Sequence, residues 1–190
     1  RNHAYLTYDN ALVCFALCAL ADFLDRPELA QRAEKTREAV YRHCVKERDG
    51  RRFFAWSVDL EGRYDIYDEP PGSLQLLPFY DFCTMDDPVW KNTVAMIRDK
   101  DYPLSFAGHP IAEIGCRHAP HPWVLSICNS LLCGHADTAL AHLARTRMDN
   151  GIACESVNED TGVCETGEAF ATCAGFLSYA LYCACFSQGG

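Results

Sequence analysis

At 190 residues, 49% hydrophobic and 23% charged, the chain has the composition of an ordinary globular domain with a buried core. A formal net charge of -9 argues against nucleic acid as a partner, since phosphate-tracking surfaces concentrate Lys and Arg to displace counterions. No membrane span is expected either, because Asp22, Asp25 and Arg26 close the first apolar run while Thr172 and Ser178 interrupt the last.

In chain order, hydrophobic periodicity gives apolar helices alternating with charged ones. Residues 10–23 (NALVCFALCALADF) are apolar nearly all round and read as interior. Residues 27–46 open on Pro27 and are amphipathic, so they read as exterior. The same pairing recurs in 73–82 with 88–99 and in 123–133 with 136–148, before a final apolar helix over about 168–185. Between each outer helix and the next inner one lies a long segment rich in Gly, Pro and acids: 49–72, 100–122 and 149–167. Loops of that length are usually functional, and with parallel inner helices they converge on one face. Residues 52–56 followed by 64–67 read as a short hairpin on that face. The expected fold is therefore all-α, an α/α toroid with about seven helices, since a simple bundle needs only short connections. A six-hairpin toroid needs about twelve helices, so the chain supplies a partial barrel.

The twelve cysteines are not grouped as metal-ligand pairs, and Cys14, Cys18, Cys128, Cys133, Cys173, Cys183 and Cys185 lie within apolar helical runs. Buried free thiols and a reducing, cytoplasmic setting are the expectation.

Four clusters fall on the proposed loop face. Tyr8, Asp9 and Asn10 precede the first helix; they are either its N-cap or a carboxylate aimed at the mouth. Asp65, Tyr67, Asp68 and Glu69, fixed by Pro70, Pro71 and Gly72, suit hydrogen bonding to sugar hydroxyls, although a solvated acidic turn has the same composition. The segment GHPIAEIGCRHAPHPW holds His109, Glu113, Cys116, His118, His121 and Trp123; its spacing fits no standard zinc motif, and a polar pocket is preferred to a metal site. Finally, Glu155 sits among Ile152, Ala153, Cys154 and Val157, surroundings that suit either a tuned catalytic acid or a buried capping residue. Neither a GxSxG elbow nor a nucleotide-binding glycine motif occurs.

Taken in order, YDEPPGSLQLLPFYDF, DDPVWKNTVAMIRDKDYPLSFAG, IGCRH with PWVLSICNSLL, the 150–158 loop and GEAFATCAGFLSYAL resemble the C-terminal half of glycoside hydrolase family 125. The resemblance implies part of a single (α/α)6 catalytic domain acting as a metal-independent, inverting exo-α-1,6-mannosidase without a cofactor. It also implies a terminal mannoside as ligand and the N-terminal half of the barrel as a partner. The family's His-Glu-Ser-Phe motif, whose glutamate is the general base, corresponds here to Cys154, Glu155, Ser156 and Val157, so Glu155 takes that role. The family's acid segment, Arg-Pro-Ser-Asp-Asp, has no counterpart; its aspartate would fall at or before Arg1, which leaves Asp9 as the nearby carboxylate. Asp68, Glu69, His109, His118 and Trp123 are expected to grip the sugar, together with Phe170 from the run that replaces the family's Trp-Phe-Ala-Trp. The rival expectations are a sugar epimerase or lyase using His118 on the same toroid, or a carbohydrate-binding half-barrel.

Overall fold

The computed structural model describes residues 3–148 and 151–186. It is helix-rich, with six α-helices: α1 (Thr7–Leu24), α2 (Pro27–His43), α3 (Pro88–Ile97), α4 (Val124–Leu132), α5 (Ala136–Arg145) and α6 (Ala171–Phe186). Seven short strands join them: β1 (Tyr5–Leu6), β2 (Val45–Arg48), β3 (Arg51–Phe54), β4 (Ser57–Val58), β5 (Tyr64–Asp65), β6 (Ser156–Val157) and β7 (Cys164–Thr166). The chain groups into two compact units, one of Arg1–Asp68 with Gly72–Val94 and one of Glu69–Pro71 with Ala95–Gly190, and the division falls within α3.

In the first unit, α1 ends where Asp25 turns left-handed and donates its N–H to Ala21, and Pro27 opens α2 directly afterwards. Helix α2 stops at His43 because the next residues are drawn into a hairpin. Asp49 and Gly50 both take positive φ, 52° and 71°, and fold Arg51–Phe54 back onto Val45–Arg48. Of the residues expected to pair with 64–67, residues 52–54 therefore pair upstream, while Trp56 N–H does donate to Asp65 O at 2.9 Å. The strand that meets Tyr64–Asp65 is Ser57–Val58, in a three-stranded sheet ordered β1-β4-β5. Phe54, Phe82 and Tyr41 form an aromatic cluster, with Tyr41 stacked on Phe82 at 5.8 Å between centroids.

The helix expected over 73–82 is reduced to a 3-10 turn at Leu74–Leu76. Pro78 has no N–H to continue the ladder, and its ring opposes the carbonyl one turn back. The turn is set from below by Asp68, which is fully buried and accepts hydrogen bonds from Ser73 Oγ at 2.6 Å and Leu74 N at 2.7 Å.

In the second unit, α4 is buried along all nine of its residues and packs against α5 and α6, as an inner helix should. Helices α1 and α6 differ from the interior assignment. Their buried positions are mostly small, Thr7, Ala11, Cys14 and Ala21 on α1 and Cys173 and Ala180 beside Leu177 on α6, while Phe23 is 83% and Tyr182 61% exposed. Cys18 and Cys183 are accordingly half-buried and Cys185 exposed. With 18 residues and a mean hydropathy of 1.4, α1 is also long and apolar enough to cross a bilayer, because the helix runs past Asp22 instead of ending there. It is the one such helix among the described residues, and it packs on α2.

Candidate active site

Glu155 is held by three stretches of backbone in the second unit. Strand β6 follows it immediately and pairs with β7, with Ser156 opposite Thr166. The turn between these strands is closed by Asn158, whose Oδ1 accepts from the backbone N–H groups of Asp160 and Thr161. Glu155 N–H points to the carbonyls of Thr166 and Gly167, each at 3.1 Å. On its other side, Val124 N–H donates to Glu155 O at 3.0 Å and Val157 N–H to Pro122 O at 2.9 Å, with a bridge between Trp123 and Ser156. The glutamate is thus clamped between the β6–β7 hairpin and the start of α4.

Its side chain is 18% exposed. Oε2 accepts a hydrogen bond from Thr166 Oγ1 at 2.8 Å, and Oε1 lies 3.9 Å from His118 Nε2. His118 is 66% exposed and stands edge-on to the Trp123 ring at 5.2 Å, with Nδ1 3.1 Å from Cys116 Sγ. Cys116, itself buried, donates to Glu69 Oε2 at 3.0 Å. A continuous polar chain therefore runs from Glu69 through Cys116 and His118 to Glu155 and on to Thr166. Close packing shapes the last link. Gly167 has φ +61°, and a Cβ built there would meet Glu155 Cβ at 2.5 Å, so only glycine lets the hairpin return this near the carboxylate.

Two of the nearby thiols, Cys154 and Cys173, are poor nucleophiles. Burial first, then the neighbouring Cys164, pushes Cys154 up to about 12; burial, then the charge of Glu155, pushes Cys173 up to about 12. Both stay protonated at neutral pH, so neither acts as a thiolate beside Glu155.

Of the sequence-predicted residues, Glu69, His118, Trp123 and Glu155 come together. Trp123 is 3% exposed with its indole N–H satisfied by Ala119 O at 3.0 Å, so its visible contribution is to brace His118. Asp68 belongs to the first unit, with the buried contacts already described. His109 lies exposed and pairs with Asp160 at 3.0 Å, apart from this chain of contacts. Phe170 is half-buried, and its N–H donates to Ala153 O at 2.8 Å. Asp9, in the first unit, is exposed in the first turn of α1; the helix starts at Thr7 with Leu6 at the cap, so neither Asp9 nor Asn10 is the N-cap. Among the described residues no group of three or more His, Cys, Asp and Glu is arranged to hold a metal ion. Nothing in the sequence marks Thr166 or Gly167, because strands of two and three residues leave no readable alternation.

Glu113 has a structural part. It is fully buried, and its Oε2 accepts from Ser126 Oγ at 2.7 Å and Ser130 Oγ at 2.9 Å, with Arg98 Nη1 at 3.6 Å; Oε1 meets His142 Nδ1 at 2.8 Å. These contacts tie the 100–122 segment to α4 and α5.

The fold is similar to that of a metal-independent α-mannosidase from Streptococcus pneumoniae, solved in a non-productive complex with α-1,6-mannobiose. The TM-score is 0.83 at 19% identity, over 95% of this chain and 46% of that one, so the chain spans about half the length of the protein it matches. No curated protein sequence matches the chain. The family model described as metal-independent α-mannosidase (GH125) matches residues 2–181, and the chain belongs to that glycoside hydrolase family.

Proposed function

We propose that this chain forms the C-terminal part of one (α/α)6 catalytic domain, a partial barrel whose whole protein is an inverting exo-α-mannosidase releasing terminal α-1,6-linked mannose without metal. The observation that carries the proposal is the setting of Glu155. Its carboxylate is partly exposed, one oxygen is held by Thr166, and the other is turned toward the solvent-accessible imidazole of His118. In this reading Glu155 takes a proton from the attacking water as it adds to the anomeric carbon, while a carboxylic acid protonates the departing oxygen from the opposite side. Asp9 is the proposed acid. Glu69 and His118 are proposed to bind sugar hydroxyls, with His109, Trp123 and Phe170 completing or shaping the surrounding loops. The cysteine content suits a reducing, cytoplasmic compartment.

The exposed His118 also suits an epimerase, which would move a proton at a sugar carbon and leave the linkage intact. The test is incubation of the full-length protein with α-1,6-mannobiose in EDTA, following the product anomer by proton NMR. The expected result is early appearance of β-mannose at a rate indifferent to EDTA. Release of α-mannose first, or an isomerised disaccharide with no free mannose, would overturn the assignment.

A further inference from the structure

The Ser156–Thr166 pair carries an inference beyond the assignment of Glu155 as base, and it rests on that assignment. Thr166 Oγ1 lies 2.8 Å from Glu155 Oε2 and 2.6 Å from Ser156 Oγ. An ionised carboxylate only accepts, so the Thr166 proton is committed to Glu155. The second contact then has one possible polarity: Ser156 donates and Thr166 accepts. Ser156 is fully buried and Thr166 half-buried, which shields the chain from competing water. Hydrogen bonds in such a directed series polarise one another, so the Thr166 hydroxyl is a stronger donor than it would be alone. Gly167, with no room for a side chain against Glu155, keeps the hairpin close enough for the bond to form.

We infer that Thr166, polarised by Ser156, is a positioning residue: it fixes Glu155 Oε2 and thereby presents Oε1 as the oxygen that receives the proton. A base free to rotate would spend much of its time with neither oxygen aligned to the attacking water, and misplacement of about 1 Å costs on the order of 100-fold in rate. The effect belongs to the chemical step, so kcat should fall while substrate affinity holds.

The experiment compares T166V, T166S, S156A and E155Q in the full-length protein with α-1,6-mannobiose, each checked by thermal melt. Valine keeps the shape of threonine and removes the donor; serine restores the donor. Expected values are a kcat loss of about 100-fold for T166V with KM changed less than about threefold, recovery by T166S to within about fivefold of the parent, and a loss of about three- to tenfold for S156A. T166V added to E155Q should cost nothing further, since the group being positioned is already gone. T166V turning over within about threefold of the parent, or T166S as impaired as T166V with an intact melt, would overturn the positioning role and leave the base assignment standing. Near-normal turnover by E155Q would remove the base assignment and this inference with it.

Discussion

Glu155 is legible in the sequence as a carboxylate among apolar neighbours, but what distinguishes it from the surrounding acids is its partners. Asp160 and Glu165 lie exposed in the same hairpin, whereas Glu155 is 18% exposed and held through Oε2. Glu155→Gln keeps the shape and the Thr166 contact but removes the oxygen proposed to take the proton. It is expected to lower kcat by about 1,000-fold with Tm within a few degrees of the parent, as checked by steady-state assay and calorimetry. Gly167→Ala should be more damaging than its size suggests, because the new methyl is strained at φ +61° and collides with Glu155 Cβ. Both kcat and Tm should fall, and a fully active, equally stable variant would show that the hairpin relaxes without moving the carboxylate. The direct contact between Glu69 and Cys116, 47 residues apart, has no counterpart in any local pattern, so Cys116 reads from the sequence only as part of a polar-pocket segment and in the structure as a link between two loops.

At the scale of elements, two signals are present in the chain and the burial of Glu113 is not. Asp49-Gly50 is a strong hairpin signal, and it explains why residues 51–54 return to 45–48 instead of reaching forward. Pro78 likewise marks the end of helical continuation in the 73–82 segment. By contrast, the depth at which Glu113 is buried depends on Ser126 and Ser130 from α4 and His142 from α5 meeting it together. Glu113→Ala leaves Arg98 and His142 without their carboxylate and is expected to cost about 4 kcal/mol, a fall in Tm of roughly 10 °C, measured by thermal unfolding. A second loop contact is pH-dependent. Burial raises the Glu159 carboxyl, but its hydrogen bond to His121, its backbone contact and the charges of His121 and His109 outweigh this and hold it below its ordinary 4.5. A depressed carboxylate stabilises the fold above its ordinary value, and that contribution is lost as pH falls through the lower folded value. Glu159→Gln should therefore be less stable than the parent at pH 7 and equal to it near pH 2, as read from urea unfolding at the two pH values. A difference that persists at low pH would point to packing instead of charge.

For the molecule as a whole, helix pairing, long acidic loops and family membership agree, while the distribution of apolar surface departs from the pattern in the sequence. On α1, Leu20, Phe23 and Leu24 form an exposed stripe, at 44%, 83% and 51%. The 190-residue chain by itself is expected to bind the dye ANS, and Leu20→Glu with Phe23→Lys should reduce that fluorescence without lowering far-UV helicity; unchanged fluorescence would place the dye elsewhere. The amino-acid sequence by itself determined the helix-rich class, the outer helix α2, the inner helix α4 and the place of Glu155, because each follows from periodicity or from a run of neighbours. Only the tertiary structure decided which side of α1 and α6 is buried, since a helix apolar all round carries no facing preference of its own. It alone also assembled Glu69, Cys116, His118, Glu155 and Thr166 into one chain of contacts, because two of its links, Glu69–Cys116 and His118–Glu155, join segments distant in sequence and depend on the packing beneath them.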